Sequence, residues 1–179
     1  MNPLSMSISS IRIRVKRAGV LALFCAGFLL ASLDLRAANV TWSSAGNVTA
    51  GGNGNWTGGN TWWNGTSGVA WTASDNATFT AAGNTTVNSD VTVGTLTINS
   101  STATISILAG AGNLTVNTSV TATNSANTTA LTQTVGANIT LGGSVDLRSN
   151  NGGTVGTSNL SIGGIISGGN SATTITKSG

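Results

Sequence analysis

Hydrophobic and polar positions alternate with a period of two along most of this chain, after an opening of a different kind. The opening has a basic stretch (IRIRVKR, 11 to 17) and then an uncharged apolar run (AGVLALFCAGFLLASL, 18 to 33). From about residue 83, short runs such as Val91-Thr92-Val93 and Leu96-Thr97-Ile98 set aliphatic residues on one side and hydroxyl residues on the other, with Gly and Asn between runs. This pattern predicts many short strands and no helix. Thr, Val and Ile suit a pleated surface, and Gly and Asn tolerate the positive φ of tight corners.

An imperfect internal repeat selects among β architectures. Asn113-Leu114-Thr115-Val116, Asn138-Ile139-Thr140-Leu141 and Asn159-Leu160-Ser161-Ile162 share one pattern, and Leu96-Thr97-Ile98 is a looser fourth copy. Gly142-Gly143 and Gly163-Gly164 follow the second and third Asn-led copies, and another strand then begins at Val145 and at Ile165-Ile166. Each unit reads as strand, corner, strand, corner. A single unit cannot bury its apolar positions, but stacked units can. The expected fold is all-β, a right-handed parallel β-helix. An antiparallel sandwich would use the same short strands but does not predict the repeated Asn-aliphatic-Thr-aliphatic unit.

The order of basic stretch, apolar run and small residues at Ala37-Ala38 is that of an export signal, with cleavage after Ala37 or Ala38. The alternative is an uncleaved anchor, since the run falls a little short of the roughly 20 residues that span a bilayer. Cys25 follows the bulky Phe24 inside the apolar run, which does not fit a lipidation site. Three segments result: a signal peptide over 1–37, a Trp/Gly/Asn-rich cap over 38–82, and β-helix coils over 83–179. The last coil, around Thr173 to Lys177, would present an unpaired parallel edge. The expectation is that the native chain continues or that this edge self-associates.

Charge sharpens this division. The formal net charge is +3, but Arg12, Arg14, Lys16, Arg17 and Arg36 all precede residue 37. Beyond it, Arg148 and Lys177 stand against Asp75, Asp90 and Asp146, a net −1. No basic patch remains for phosphates, which excludes nucleic acid as a partner. The membrane enters only through the signal during export. In stacked coils equivalent residues lie about 4.8 Å apart, so a charged side chain risks like-charged neighbours that Thr, Ser and Asn avoid. Asn at corners can form amide ladders.

Residues 38–179 contain no Cys, His, Glu, Tyr or Pro, so stability must come from apolar burial and the backbone ladder. Acid and base catalysis has only three Asp, one Lys and one Arg to draw on. Asp75 and Asp90 are the nearest acidic pair, and coil stacking is what would have to bring them together. No Ser sits in a G-x-S-x-G elbow. GGNGN at 51 to 55 lacks the Asp of a calcium repeat and reads as a turn. No enzyme, metal or cofactor is expected. Twelve Asn-x-Ser/Thr triplets follow from an Asn- and Thr-rich composition.

All five tryptophans fall between Trp42 and Trp71, and beyond Phe79 there is no aromatic residue. Two readings are open. Trp56, Trp62, Trp63 and Trp71 are candidate carbohydrate contacts, because exposed indoles stack on sugar rings. The same rings can instead close the end of the solenoid, since a terminal coil needs a cap of different composition. Trp62 and Trp63 are adjacent, so in a strand they point to opposite faces.

With TW…GNGNW…WWNGT…AWTASDNATFTAAG (41 to 83), including the D-x-A-x-F motif Asp75-Asn76-Ala77-Thr78-Phe79, the chain resembles the N-terminal part of bacterial autotransporter-type surface proteins built from autotransporter-associated β-strand repeats. VTVGTLTI (91 to 98) and ISGGNSATTITKSG (166 to 179) are similar to their strand units. The resemblance implies a right-handed β-helix, secreted or displayed at the surface of a Gram-negative-type bacterium, with a structural or adhesive role and a cell-surface or polysaccharide partner. The absence of cysteine suits passage across two membranes. It supplies no catalytic or binding residues. A carbohydrate-binding module built on the tryptophans is the alternative function.

Overall fold

The computed structural model describes residues 37–125, 130–151, 157–169 and 174–178. The signal segment lies outside them. Fifteen strands follow in order: β1 (Asn39–Trp42), β2 (Gly54–Asn55), β3 (Trp62–Trp63), β4 (Gly68–Val69), β5 (Asn76–Phe79), β6 (Gly83–Thr86), β7 (Val91–Ser100), β8 (Ile105–Leu108), β9 (Leu114–Asn124), β10 (Leu131–Val135), β11 (Ile139–Leu141), β12 (Val145–Asn151), β13 (Ser158–Ile162), β14 (Ile166–Gly168) and β15 (Ile175–Ser178). No helix occurs among the described residues.

The strands form two sheets. One runs β14-β11-β9-β7-β5-β1-β3-β4, with β12 joined to β9 and β15 to β12, and the other runs β13-β10-β8-β6-β2. From β5 onward the chain alternates between the sheets, except that β11 and β12, and β14 and β15, follow one another within the first sheet. Each strand pairs in parallel with strands of the preceding or following coil. The protein is therefore a β-solenoid, of about four turns. Parallel pairing already begins at β1, whose Val40 lies beside Ala77 of β5. The segment 38–82 thus contributes strands to the solenoid as well as its end.

Alternation along each strand sends one set of side chains inward. In β7, Val91, Val93, Leu96 and Ile98 are buried, while Thr92, Thr95 and Thr97 are half-buried on the outer face. Register then stacks like on like. Val91, Leu114 and Ile139 form one inward column, which ends at the exposed Ile166, and Thr85, Ile107 and Val135 form another on the opposite sheet, which ends at the half-buried Ile162. Each large aliphatic side chain fully removed from water contributes roughly 1.5–3 kcal/mol, so these columns are the main favourable term.

The repeat is only partly a coil-to-coil repeat. Leu114-Thr115-Val116 and Ile139-Thr140-Leu141 stack in register as expected. Leu160-Ser161-Ile162, however, lies on the second sheet against Gln133-Thr134-Val135, and Ile166-Ser167-Gly168 occupies the next place over Ile139-Thr140-Leu141. Leu96-Thr97-Ile98 stacks on Val120-Thr121-Ala122, while Val91-Thr92-Val93 is the partner of Leu114-Thr115-Val116. The physical reason is that aliphatic-hydroxyl alternation marks strands of both sheets, so it does not tell which sheet a strand joins. Coil length also drifts, with stacked residues 23, 25 and 27 apart (91 to 114, 114 to 139, 139 to 166).

Gly142-Gly143 separates β11 from β12, two strands that both pair with β9, and so it marks a bend within one sheet. The bend starts two coils earlier, as a register shift at Gly94 between Val93 and Thr95. A Cβ at Gly94 would lie 2.5 Å from Asn76 Oδ1, and one at Gly142 2.0 Å from Asn117 Oδ1. Glycine at the bend leaves room for the Asn of the preceding coil. That room is used, since Asn76 Oδ1 accepts the Thr95 amide at 2.9 Å.

Two buried polar side chains in the core have opposite status. Gln133, fully buried, accepts the Ile105 amide through Oε1 at 2.7 Å and donates from Nε2 to the Ala103 carbonyl at 3.3 Å. It pairs the backbone of a corner that the ladder leaves unpaired. Thr85, 1 % exposed, has a hydroxyl with no partner. A buried polar group without a partner costs about 1–3 kcal/mol. The same kind of change at the two sites is therefore predicted to have opposite signs in chemical denaturation. Thr85→Val raises stability by about 1 kcal/mol, and Gln133→Leu, which orphans two backbone groups, lowers it by roughly 2–4 kcal/mol.

Candidate functional site

The tryptophans lie where the parallel sheet would otherwise end. Beyond β1 the sheet continues through β3 and β4, both antiparallel to their neighbours, with Trp42 beside Trp62 and Trp63 beside Gly68. The turn between β3 and β4 is fixed by Asn64, whose Oδ1 accepts the amides of Thr66 and Ser67, each at 2.9 Å. This short-range bonding lets a hairpin of two-residue strands hold against the edge. An antiparallel hairpin ends the parallel ladder and covers the outer edge of β1, the terminal strand of the parallel run.

Beneath the hairpin the rings pack on one another. Trp62 meets Trp42 at 5.2 Å and 71°, Trp56 at 5.0 Å and Trp71 at 4.8 Å between centroids. Phe79 touches Trp42, Trp56 and Trp62 at 5.5 to 6.0 Å. Trp42, Trp56, Trp62 and Phe79 are at most 1 % exposed. Trp42 Nε1 donates to the Gly52 carbonyl and Trp62 Nε1 to the Trp56 carbonyl, both at 2.9 Å. The indole N–H groups of Trp56 and Trp71 have no conventional acceptor. Those two rings meet edge to face at 5.2 Å and 82°, an arrangement in which the positive edge of one indole faces the π cloud of the other.

The four candidate sugar contacts therefore do not share a surface. Trp56 and Trp62 have no exposed ring face. Trp71 is half-buried, with its ring packed against Trp56 and Trp62. Trp63 alone of the four stays out of the ring cluster. It projects to the outer face, as adjacency to the inward Trp62 requires, and is half-buried there. Trp63 stands beside Thr41, and the column continues through Thr78, Thr97 and Thr121 to Arg148. On its other side is Gly68, without a side chain. An indole thus heads an uncharged column of four hydroxyl residues spaced about 4.8 Å apart.

The carboxylates are each engaged with nearby groups. Asp75 Oδ1 accepts the Ala38 amide at 2.9 Å, and Asp90 Oδ1 accepts the amide of Asn113 at 2.9 Å and its side-chain Nδ2 at 3.3 Å. Asp146 pairs with Arg148 at 2.6 Å. Coil stacking joins Asp75 and Asp90 to different partners and not to each other. Among the described residues no three potential metal ligands cluster. GGNGN contains the expected turn, with positive φ at Gly51 and Gly52. At the far end, among the described residues, β13, β14 and β15 each pair with a strand on one side only. Leu147, Leu160 and Ile162 line a hollow of about 140 Å³ there, with Arg148 and Ser149.

The arrangement defines a class of architecture, a β-solenoid whose N-terminal strand is covered by an antiparallel hairpin. Compared with family models, curated proteins and solved structures, the chain matches none of them.

Fluorescence separates the two groups of indoles. Acrylamide is predicted to quench a minor, red-shifted component of the emission, and Trp63→Phe is predicted to remove that component. The blue-shifted emission of Trp42, Trp56 and Trp62 should resist the quencher until the protein unfolds. Efficient quenching of the whole native emission would contradict the buried cluster.

Proposed function

We propose that this chain is a non-enzymatic, structural or adhesive segment of an exported β-solenoid passenger, displayed at or released from a bacterial surface. The observation that carries this reading is the use of the acidic groups. Asp75 and Asp90 hold neighbouring coils together through backbone amides, and Asp146 is paired with Arg148. General acid and base work needs such groups facing a substrate. The signal-like sequence of the opening and the resemblance to autotransporter-associated β-strand repeats support export and surface display. Expressed as the full chain in a Gram-negative-type host, the protein is predicted to lose its opening segment and to be cleaved by protease added to intact cells, or to collect in the medium. Retention of the uncut chain inside the cell would refute export. Release of reducing sugar from polysaccharides, abolished by Asp90→Asn, would refute the non-enzymatic role.

A second reading, carbohydrate binding, is favoured by one specific observation. Trp63 lies on the outer face at the head of the Thr41-Thr78-Thr97-Thr121 column. A neutral, extended polysaccharide would stack one ring on this indole and meet hydroxyl groups beyond it. Affinity electrophoresis in gels containing hydroxyethyl cellulose tests this reading. Retardation lost in Trp63→Ala and weakened in Thr97→Val supports it, and equal mobility with and without polysaccharide refutes it.

A further inference from the structure

The bond between Asp75 and the backbone of Ala38 falls beside the expected processing site. Asp75 is only 7 % exposed, and its Oδ1 accepts the Ala38 amide at 2.9 Å. The Ala38 carbonyl in turn accepts the amide of Asn76 at 2.8 Å. Ala38 is thus held at both ends of its backbone by the first two residues of the Asp75-Asn76-Ala77-Thr78-Phe79 run, directly ahead of β1. Ala37 and Ala38 are both exposed.

We infer that processing cuts the Ala37–Ala38 bond, and that Asp75 is the acceptor for the α-ammonium group this cut creates. The inference rests on the export reading. A host signal peptidase hydrolyses the bond with one water. The C–N bond breaks as the carbonyl carbon of Ala37 takes the hydroxide of the water. The nitrogen of Ala38 keeps its one hydrogen, takes the other proton of the water and then the proton that the new carboxyl group releases. The signal thus leaves as a carboxylate, and Ala38 carries an ammonium group at neutral pH. The neutral amide now 2.9 Å from the carboxylate oxygen becomes a cation in the same place. The bond to the amide is already assisted by the charge of the carboxylate, and the cut adds a full positive charge on the donor, so that Coulomb attraction reinforces the same contact. Because Ala38 is exposed, the other ammonium hydrogens stay in water, which limits the desolvation cost.

The neighbouring cut is poorer on two counts. Cleavage after Ala38 would remove both the donor to Asp75 and the acceptor for Asn76, and leave a buried carboxylate without this partner. It would also place the charged Arg36 three residues before the cut, where small or uncharged residues are preferred, whereas cleavage after Ala37 places Leu35 there.

The experiment uses the full chain, exported from a Gram-negative-type host. Intact mass and N-terminal sequencing of the exported product are expected to give Ala38 as the first residue. An exported product beginning at Asn39 overturns this inference alone, and an uncut chain inside the cell overturns the export reading with it. The charge pairing is read from thermal stability of the exported wild type and of Asp75→Asn against pH. The amine gains an anionic partner on folding, so its folded pKa lies above its unfolded value of about 8. The added stability is fully present below that value and is lost as pH rises through the folded pKa. Wild type should therefore melt several degrees above Asp75→Asn at pH 7, and the gap should narrow at alkaline pH. A gap independent of pH would show that Asp75 serves only as an acceptor for a neutral amide.

Discussion

Everything in this molecule depends on the parallel backbone ladder that joins each coil to the next. The ladder fixes register, and with a side-chain period of two a slip of one residue would turn every inward side chain outward. Register stacks Val91 on Leu114 on Ile139, and on the other face Thr92 on Thr115 on Thr140. The alternation of aliphatic and hydroxyl residues is thus a condition of stacking before it is anything functional. Charge follows the same condition. Asp146 and Arg148 lie on one strand and pair with each other, and their ladder neighbours are Ser119 and Thr121.

A ladder must also be ended, and the N-terminal end is where the composition changes. An interior coil is covered by coils above and below, so aliphatic side chains of moderate size suffice. The first coil has only one neighbour. The chain supplies the missing cover with an antiparallel hairpin and a cluster of indoles, each large enough to fill space that several aliphatic residues would otherwise take. The Trp-rich segment is therefore continuous with the solenoid. Its Trp42 lies on the first strand of the parallel sheet and stacks on Phe79 of the second.

How much of this was legible in the sequence depended on what set each residue. The all-β character and the stacked coils were legible because inward and outward positions differ in hydrophobicity along the longer strands, β7 and β9 above all. The assignment of repeat copies to coils was only half legible, since Asn159-Leu160-Ser161-Ile162 carries the same alternation as Asn138-Ile139-Thr140-Leu141 but belongs to the other sheet. The division of the tryptophans was legible only for the pair Trp62 and Trp63, where adjacency forces opposite faces. Gln133 was not legible. It is needed because the corner at Ala103 to Ile105 leaves an amide and a carbonyl unpaired, and that need arises from a coil almost thirty residues away. The long-range partners of the carboxylates were hidden for the same reason.

Those partners give the polar corners a common logic. Where the chain enters the first sheet, a side-chain oxygen of one coil accepts an amide of the next: Asp90 from Asn113, Asn138 from Ile165, and Asn76 from Thr95 at the bend. A neutral carboxamide suffices for two of the three. Asp75 differs in direction, reaching back to Ala38 in the coil before it. Among the described residues no coil precedes the first one, and its leading amide is met from ahead. Asn39 and Asn76 reinforce the same step, with Asn76 Nδ2 donating to Asn39 Oδ1 at 2.9 Å. Asp75 and Asn76 thus begin the D-x-A-x-F run as the clasp on the first strand, while Ala77 and Phe79 supply its core contacts. The acidic residue of that motif is explained by the start of a ladder, as the tryptophans are explained by its need for cover.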